Sequence, residues 1–198
     1  MSLQIYSKKR NFENTPEPSD KAVKSKSKLS FVIQRHKSSH LHYDFRLEMD
    51  GVLKSWAVPK GPSLNPKDKR LAMMVEDHPF SYKDFEGIIP EGNYGAGIVE
   101  LWDHGYLSDI DNSEKSAAEK KLKTGLNKGI LKFRLFGKKL NGEFALVKIK
   151  YKQKNAWLLI KHNDEYAVNE NYNSEEHTSA KSPINKLLLK EQASILQE

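Results

Sequence analysis

The sequence predicts a mainly β protein, a small antiparallel β-barrel that is closed or nearly closed, with one or two peripheral helices. Three observations support this fold class. About seven or eight short apolar or alternating segments are joined mostly by short turns. Two dipeptides typical of β-hairpins, Asp50-Gly51 and Asn141-Gly142, separate such segments. Only two segments have helical spacing, so strands dominate.

The strands follow one another from residue 31. We predict them over 31–36, 42–49, 52–58, 71–75, 98–102, 130–136, 143–149 and 156–161. Segment 42–49 is the clearest, because polar and apolar residues alternate over its whole length. No internal repeat interrupts this order.

Two helices are predicted. The first covers 113–124, is rich in Ala, Glu and Lys, and is ended by Gly125. The second opens at Ser182-Pro183. Its apolar residues at helical spacing are Ile184, Leu187, Leu188 and Ile195. We therefore divide the chain into a basic extended arm (1–28), a barrel domain (29–167), and a polar linker with a C-terminal amphipathic helix (168–198). We expect 168–181 to be disordered.

Composition excludes several classes of protein. The 198 residues include no cysteine, which excludes disulfides, cysteine-bound zinc and thiol catalysis. No apolar run approaches the roughly 18 residues of a membrane span, and the start lacks the apolar stretch of a signal peptide. We expect a soluble, cytoplasmic protein with no membrane partner.

Charge favours a polyanionic partner. Lys and Arg number 33 against 26 Asp and Glu, a formal charge of +7. The positive charge lies in the arm and between residues 115 and 161. The arm residues are Lys8, Lys9, Arg10, Lys21, Lys24, Lys26 and Lys28. We expect both regions to steer nucleic acid, although a solvated lysine-rich surface is the alternative.

Segment 42–49 carries the candidate chemistry. Alternation places His42, Asp44 and Arg46 on one face of the strand. Tyr43, Phe45 and Leu47 then pack on the opposite face. The Cα atoms of His42 and Asp44 should lie about 6.6 Å apart, close enough for both side chains to reach one ion.

His36 ends the preceding strand and can turn toward the same point. Two imidazoles and one carboxylate suit manganese, zinc or iron, and Arg46 beside them suits a phosphate. The alternative is a solvated face, and we expect His40 to be merely exposed. His78 is either a turn histidine or a general acid with a pKa near neutrality.

Other motifs are weaker or absent. The glycines of 90–97 lead into a strand rather than a helix, which indicates a turn and not a phosphate loop. The motifs G-x-S-x-G and H-E-x-x-H do not occur, and no K-x-D-G surrounds Lys54 or Lys60. Their absence argues against serine hydrolase, zincin and nucleotidyl-lysine chemistry.

Six strings, in order, resemble the 3′-phosphoesterase domain of bacterial ATP-dependent DNA ligase D. They are FVIQRH (31–36), LHYDFRLE (41–48), DGVLKSWAVPKGPS (50–63), VEDHP (75–79), PEGNYGAG (90–97) and WLLIK (157–161). The resemblance spans about residues 6–167. The chain contains no ligase or polymerase module, so we expect a free-standing form or an excised part.

The resemblance implies a barrel hydrolase that uses Mn²⁺, or another divalent transition metal, to process DNA 3′ ends for non-homologous end joining. It would remove a 3′-terminal ribonucleoside and then the 3′-phosphate, leaving a 3′-hydroxyl. Its partners would be DNA 3′ ends and primer-templates, with ligase and polymerase modules acting in trans. The alternative classes are a non-catalytic nucleic-acid-binding barrel and an interaction module that recruits repair partners through its C-terminal helix.

The resemblance also implies roles for individual residues. His36, His42 and Asp44 would be the metal ligands, and Arg46, His78 and Tyr82 the catalytic groups. The residues implied at the substrate phosphate are Gln34, Arg46, Lys60, Arg70, Arg10 and Glu17. The family's Arg-Asp-Phe appears here as Arg10-Asn11-Phe12, and we expect Asn11 to alter how Arg10 is oriented. We expect the C-terminal helix, outside the resemblance, to be dispensable for catalysis, so that a chain ending near Ala167 keeps its turnover.

Overall fold

The computed structural model describes residues 3–19, 25, 27–152 and 154–195. Lys21, Lys24 and Lys26 of the expected basic arm lie outside this part. The elements are α1 (Leu3–Lys8), β1 (Leu29–Lys37), β2 (Leu41–Met49), β3 (Val52–Val58), β4 (Lys69–Met74), β5 (His78–Pro79), β6 (Gly87–Ile89), β7 (Gly97–Ser108), α2 (Lys115–Lys128), β8 (Ile130–Gly137), β9 (Asn141–Lys148), β10 (Ala156–Lys161) and α3 (Pro183–Ile195). Short 3-10 turns cover Phe80–Asp84 and Ser174–His177.

Eight strands close into an antiparallel barrel. Their order is β1-β2-β3-β4-β10-β9-β8-β7, and β7 pairs back with β1. β6 continues outward from β7 and β5 from β3. The interior is filled by large apolar side chains, including Phe31, Phe45, Trp56, Phe133 and Phe144. The predicted fold class is confirmed.

The two predicted hairpin turns have different outcomes. Asp50 and Gly51 both have positive φ, 55° and 73°, as a tight hairpin turn requires. Asn141 and Gly142 instead lie inside β9, and the turn falls before them, where the Gly137 N–H donates to the Leu140 carbonyl. That turn prediction is wrong. Gly142 allows the Asp164 carboxylate to pack against the backbone of β9, because a Cβ at residue 142 would lie 2.3 Å from that carboxylate.

The helices also differ in part from expectation. α2 runs through Gly125 to Lys128 and is capped by Gly129, whose φ of 77° is the left-handed cap conformation. α3 begins as predicted, and the Ser182 hydroxyl accepts the Asn185 N–H at 3.1 Å. α1 is a third helix where an extended arm was expected, and its Tyr6 is buried. The side chain of Ile195 lies outside the described part.

The expected disorder of 168–181 is wrong. Ser174 is fully buried and its hydroxyl donates to the Pro62 carbonyl at 2.6 Å. Glu175 accepts hydrogen bonds from Arg35 of β1 and Tyr43 of β2. The segment therefore covers the barrel end near the β1–β2 turn. None of the helices in the described residues is long and apolar enough to cross a membrane.

A second apolar cluster lies outside the barrel. Its buried members are Tyr6, Val32, Leu53, Phe80, Tyr82, Phe85, Ile89 and Val99. This cluster fixes α1, the 3-10 turn Phe80–Asp84 and β6 over the outer face of β1 and β3. The candidate site lies beside it, on the outer face of β1 and β2. The basic region 115–161 does not lie on the face of the candidate site. Its helix α2 contacts the β2–β3 turn and β8. Its strands β9 and β10 lie across the barrel from β2.

Candidate active site

Strand register brings three potential metal ligands together. In the β1–β2 ladder His36 lies opposite His42, and Gln34 lies opposite Asp44. Ligand atoms of His36, His42 and Asp44 all fall within 4.8 Å of one another. Tyr43, Phe45 and Leu47 pack in the barrel core, as alternation predicts.

Hydrogen bonds set which imidazole nitrogens carry protons. His36 Nε2 lies 2.9 Å from the Gly95 carbonyl, and His42 Nδ1 lies 2.9 Å from the His40 carbonyl. Because a carbonyl only accepts, these two nitrogens donate. The remaining nitrogens, His36 Nδ1 and His42 Nε2, lie 3.5 and 3.8 Å from Asp44 oxygens. Two free imidazole lone pairs and a carboxylate fit a divalent transition metal. The Gly95 and His40 carbonyls fix the orientation of the rings, as hydrogen-bond partners of metal-binding histidines commonly do. The ring of His40 is exposed, as expected.

Arg46 is held beside this cluster. Its Nε donates to Gln34 Oε1 at 2.7 Å, and its terminal nitrogens donate to Ser55 at 3.0 Å and Asp44 at 3.1 Å. Burial would raise the pKa of Asp44, but the Arg46 charge, with the neighbouring histidines, lowers that pKa well below its usual range. Asp44 is therefore ionised at neutral pH.

Gln34 and Tyr82 support Arg46 from behind. The Gln34 amide donates to the Tyr82 and Phe85 carbonyls at 3.0 and 2.8 Å. Arg46 lies over the Tyr82 ring, 4.8 Å from its centroid. The Tyr82 hydroxyl donates to Glu17 at 2.8 Å, and burial raises the pKa of Tyr82. Of these two residues, only Tyr82 lines the pocket.

The N-terminal arm supplies a second guanidinium. Arg10 Nε donates to Glu17 Oε1 at 2.8 Å, and another nitrogen lies 3.4 Å from Glu76. Asn11 is exposed, and its side-chain oxygen accepts the Glu13 N–H. In the part of the chain that the structure describes, the polar groups that contact the Arg10 guanidinium are Glu17, Glu76, the Tyr6 carbonyl and His78, and residue 11 is not among them. Among the contacts of the described residues, the Asn11 side chain takes no part in holding Arg10, and the effect of the missing carboxylate stays a prediction.

His78 lies between Glu76 and Arg10. Its Nδ1 is 3.0 Å from the Glu76 carbonyl, so Nδ1 carries the proton. Its Nε2 then accepts from Arg10 at 3.3 Å. Burial first, and the charges of Arg46 and Arg10 second, lower the pKa of His78 well below 6.5. The expected pKa near neutrality is wrong, and His78 is a neutral hydrogen-bond acceptor here.

These groups line a cavity of about 530 Å³. It contains Arg10, the three potential metal ligands, Arg46, His78 and Tyr82, which the sequence and its family resemblance had suggested. Nine lining residues were not predicted from the sequence: Ala57, Val75, Ile89, Ser38, Ser39, Glu76, Tyr94, Gly95 and Ala96. The last three belong to 90–97, which is a turn as predicted yet faces the site. Segment 90–97 is one of the six strings that carry the family resemblance, and that was the signal in the sequence that could have placed it at the site.

Four of the six predicted substrate-binding residues do not line this cavity: Glu17, Gln34, Lys60 and Arg70. Lys60 is exposed beyond β3 and does not line the cavity. Arg70 donates to Asp68 at 2.8 Å and to the Tyr172 carbonyl at 2.7 Å, so it anchors the C-terminal segment. Lys60 and Arg70 thus lie away from the cavity, whereas Gln34 and Glu17 lie behind the two arginines that line it.

The fold and the site define a class of protein: a closed β-barrel whose outer pocket joins a metal-compatible cluster to two buried arginines. Comparison with known proteins gives the family. The model of the DNA ligase D 3′-phosphoesterase domain matches residues 34–148. The chain belongs to this family, and the resemblance found in its sequence is confirmed.

Curated relatives are multifunctional non-homologous end joining proteins named LigD. The Pseudomonas aeruginosa protein is 49% identical over 165 residues, which cover 82% of this chain and 19% of the relative. The Mycolicibacterium smegmatis protein is 39% identical over 172 residues, 82% of this chain and 21% of the relative. The Mycobacterium bovis protein is 41% identical over 148 residues. The chain thus spans about a fifth of the length of these relatives.

Proposed function

We propose that this chain is a manganese-dependent phosphoesterase that processes DNA 3′ ends for end joining. The observation that carries the proposal is the cluster of His36, His42 and Asp44 beside the buried Arg46. Family membership and the names of the relatives support the choice of DNA ends as substrate. Another divalent transition metal fits the same donors.

The proposed reaction has two hydrolytic steps. Water adds to the phosphorus of a 3′-terminal ribonucleotide linkage, the bond to the terminal ribonucleoside breaks, and the nucleoside leaves with a hydroxyl. A second water then releases inorganic phosphate and leaves a 3′-hydroxyl on the DNA. The three ligands would hold Mn²⁺, which when bound supplies Lewis-acid polarisation of a phosphoryl oxygen.

The chain's own residues bind and orient the phosphate. Arg46 and Arg10 line the pocket, and each is fixed by buried acceptors. Their charges would stabilise the non-bridging oxygens as negative charge develops on them. Because each guanidinium is held by Gln34 or Glu17, little reorganisation is needed when the phosphate binds.

His78 acts mainly through Arg10 in this proposal. Its Nε2 lone pair is engaged by the Arg10 guanidinium, and its proton is directed at the Glu76 carbonyl. A neutral acceptor orients a cation more readily than it donates a proton to a leaving oxygen. This supports a positioning role for His78 in place of the general acid that the sequence suggested.

The test is a gel assay of a 3′-phosphate primer-template and a 3′-ribonucleotide primer-template with Mn²⁺, Mg²⁺ or EDTA. We expect Mn²⁺-dependent conversion of both ends to a 3′-hydroxyl. Asp44→Ala should abolish it, whereas the exposed Asp84→Ala serves as a matched control. DNA binding without metal-dependent release would overturn the proposal and favour a non-catalytic binding barrel.

A further inference from the structure

We propose that Tyr94 stacks on the terminal nucleoside that the reaction releases, which makes it a specificity residue for the ribonucleotide end over the 3′-phosphate end. This inference rests on the proposed function. Large aromatic side chains that are exposed in the described residues include Tyr94, Tyr151 and Tyr166. Of these three, Tyr94 lines the candidate active site. Its side chain is 49% exposed.

Tyr94 lies next to the metal-compatible cluster. The carbonyl of the following residue, Gly95, accepts the His36 Nε2–H at 2.9 Å. Neighbouring Cα atoms are about 3.8 Å apart. The Arg10 guanidinium lies 5.7 Å from the centroid of the Tyr94 ring, so the ring stands beside one of the two arginines that would bind the phosphate.

The turn that carries Tyr94 has a fixed backbone. The Ala96 N–H donates to the Asn93 carbonyl at 3.1 Å. Gly97 has a φ of 144°, and a Cβ there would lie 2.1 Å from the Lys37 carbonyl of β1. This close approach seats the turn on the strand that bears His36. Tyr94 is thus presented by a preorganised turn.

One side of the pocket is closed by the arm. The Lys9 ammonium donates to the Tyr94 hydroxyl at 3.2 Å and lies 4.3 Å from the ring centroid. Nearby, the Asn93 amide donates to the Asn14 carbonyl at 3.4 Å. In this proposal the terminal nucleoside lies where the arm and the turn meet, and this side of the pocket receives the leaving group.

The chemistry of this closed side matches a nucleoside. A half-exposed aromatic ring stacks on any base, because every base has a π-face. A 3′-phosphate end carries no group beyond the phosphate and makes no use of the ring. Stacking on Tyr94 therefore favours the ribonucleotide end over the 3′-phosphate end through substrate affinity, and not through the rate of the chemical step.

Steady-state kinetics of Tyr94→Ala, Tyr94→Phe and wild type test the inference on both ends, with Tyr151→Ala as a control for loss of an exposed tyrosine remote from the pocket. We expect Tyr94→Ala to raise KM roughly tenfold for the ribonucleotide end and to leave KM for the 3′-phosphate end unchanged. Tyr94→Phe keeps the ring and should resemble wild type. An equal rise for both ends, or no rise for either, would overturn the inference.

A binding measurement without catalysis separates this inference from the proposed function. A primer ending in a 2-aminopurine ribonucleotide is titrated with protein in EDTA, and fluorescence reports stacking of the terminal base. Wild type and Tyr94→Phe should quench the probe, and Tyr94→Ala should not. Equal quenching by Tyr94→Ala would reject the stacking contact even if no metal-dependent activity were found. If wild type quenches the probe, Tyr94→Ala does not, and wild type shows no metal-dependent activity, only the proposed function is rejected.

Discussion

Glu175 of the C-terminal segment closes one end of the barrel by pairing with Arg35 of β1, whose Nε lies 3.0 Å from Glu175 Oε1. Arg35 is fully buried, and its guanidinium also donates to Glu100, Ser182 and Asn185. Such a buried cation is stable only while its acceptors are in place. The C-terminal segment therefore contributes to the stability of the barrel, while the dispensability of its helix for catalysis stays a prediction.

Glu175→Ala should destabilise the fold by about 2 kcal/mol, because it leaves a buried guanidinium short of an acceptor. Urea unfolding followed by tryptophan fluorescence measures this. The neighbouring Glu176→Ala, which removes an exposed carboxylate, is the control. A chain ending at Ala167 should lose still more stability. Equal midpoints for wild type and Glu175→Ala would show that the pair does not hold the segment.

Removing a metal ligand should have a different effect from removing His78. His42→Ala should lose both stoichiometric Mn²⁺ binding, measured by calorimetry, and activity. His40→Ala is the control, since it keeps the backbone carbonyl that orients His42. His78→Ala should keep the metal and lose roughly 100-fold in rate, because Arg10 loses an acceptor and is misplaced. Full Mn²⁺ binding by His42→Ala would remove the metal assignment.

DNA affinity should depend on charge near the pocket. Lys8 is exposed at the end of α1, whereas Lys132 is exposed on β8, away from the pocket face. Lys8→Glu should weaken binding of a primer-template and reduce the slope of log affinity against log salt by about 1. Lys132→Glu changes the charge equally and should leave both quantities unchanged. The reverse pattern would place the DNA path along the 115–161 region.

The sequence predicted those parts of the site that depend on strand periodicity. Alternation alone placed His42, Asp44 and Arg46 on one face, and antiparallel pairing brought His36 to them. It could not predict the Arg35–Glu175 pair, because those residues are 140 positions apart and each reads as an ordinary surface charge.

Predictions from local sequence patterns also failed where contacts between distant residues determine the structure. The dipeptide Asn141-Gly142 is typical of a hairpin turn, but here Gly142 is needed because the Asp164 carboxylate leaves no room for a Cβ. Arg10 and Glu17 were implied only by family resemblance. Periodicity carries no information on how an irregular arm folds back over a barrel.

Stability should fall in acid partly through Asp109, which lies before α2. Burial alone would raise its pKa, but hydrogen bonds from Lys121 and Ser113 lower the pKa from 3.8 to about 2. A carboxyl with a lowered folded pKa stabilises the protein above its unfolded pKa, and this contribution disappears as pH falls toward 2. Asp109→Asn should therefore cost roughly 1 kcal/mol at pH 7, and progressively less below about pH 4. Urea unfolding at several pH values measures the difference, with exposed Asp111→Asn as the control. A difference that stays constant down to pH 2 would show that the Asp109 charge is not the source of the stabilisation.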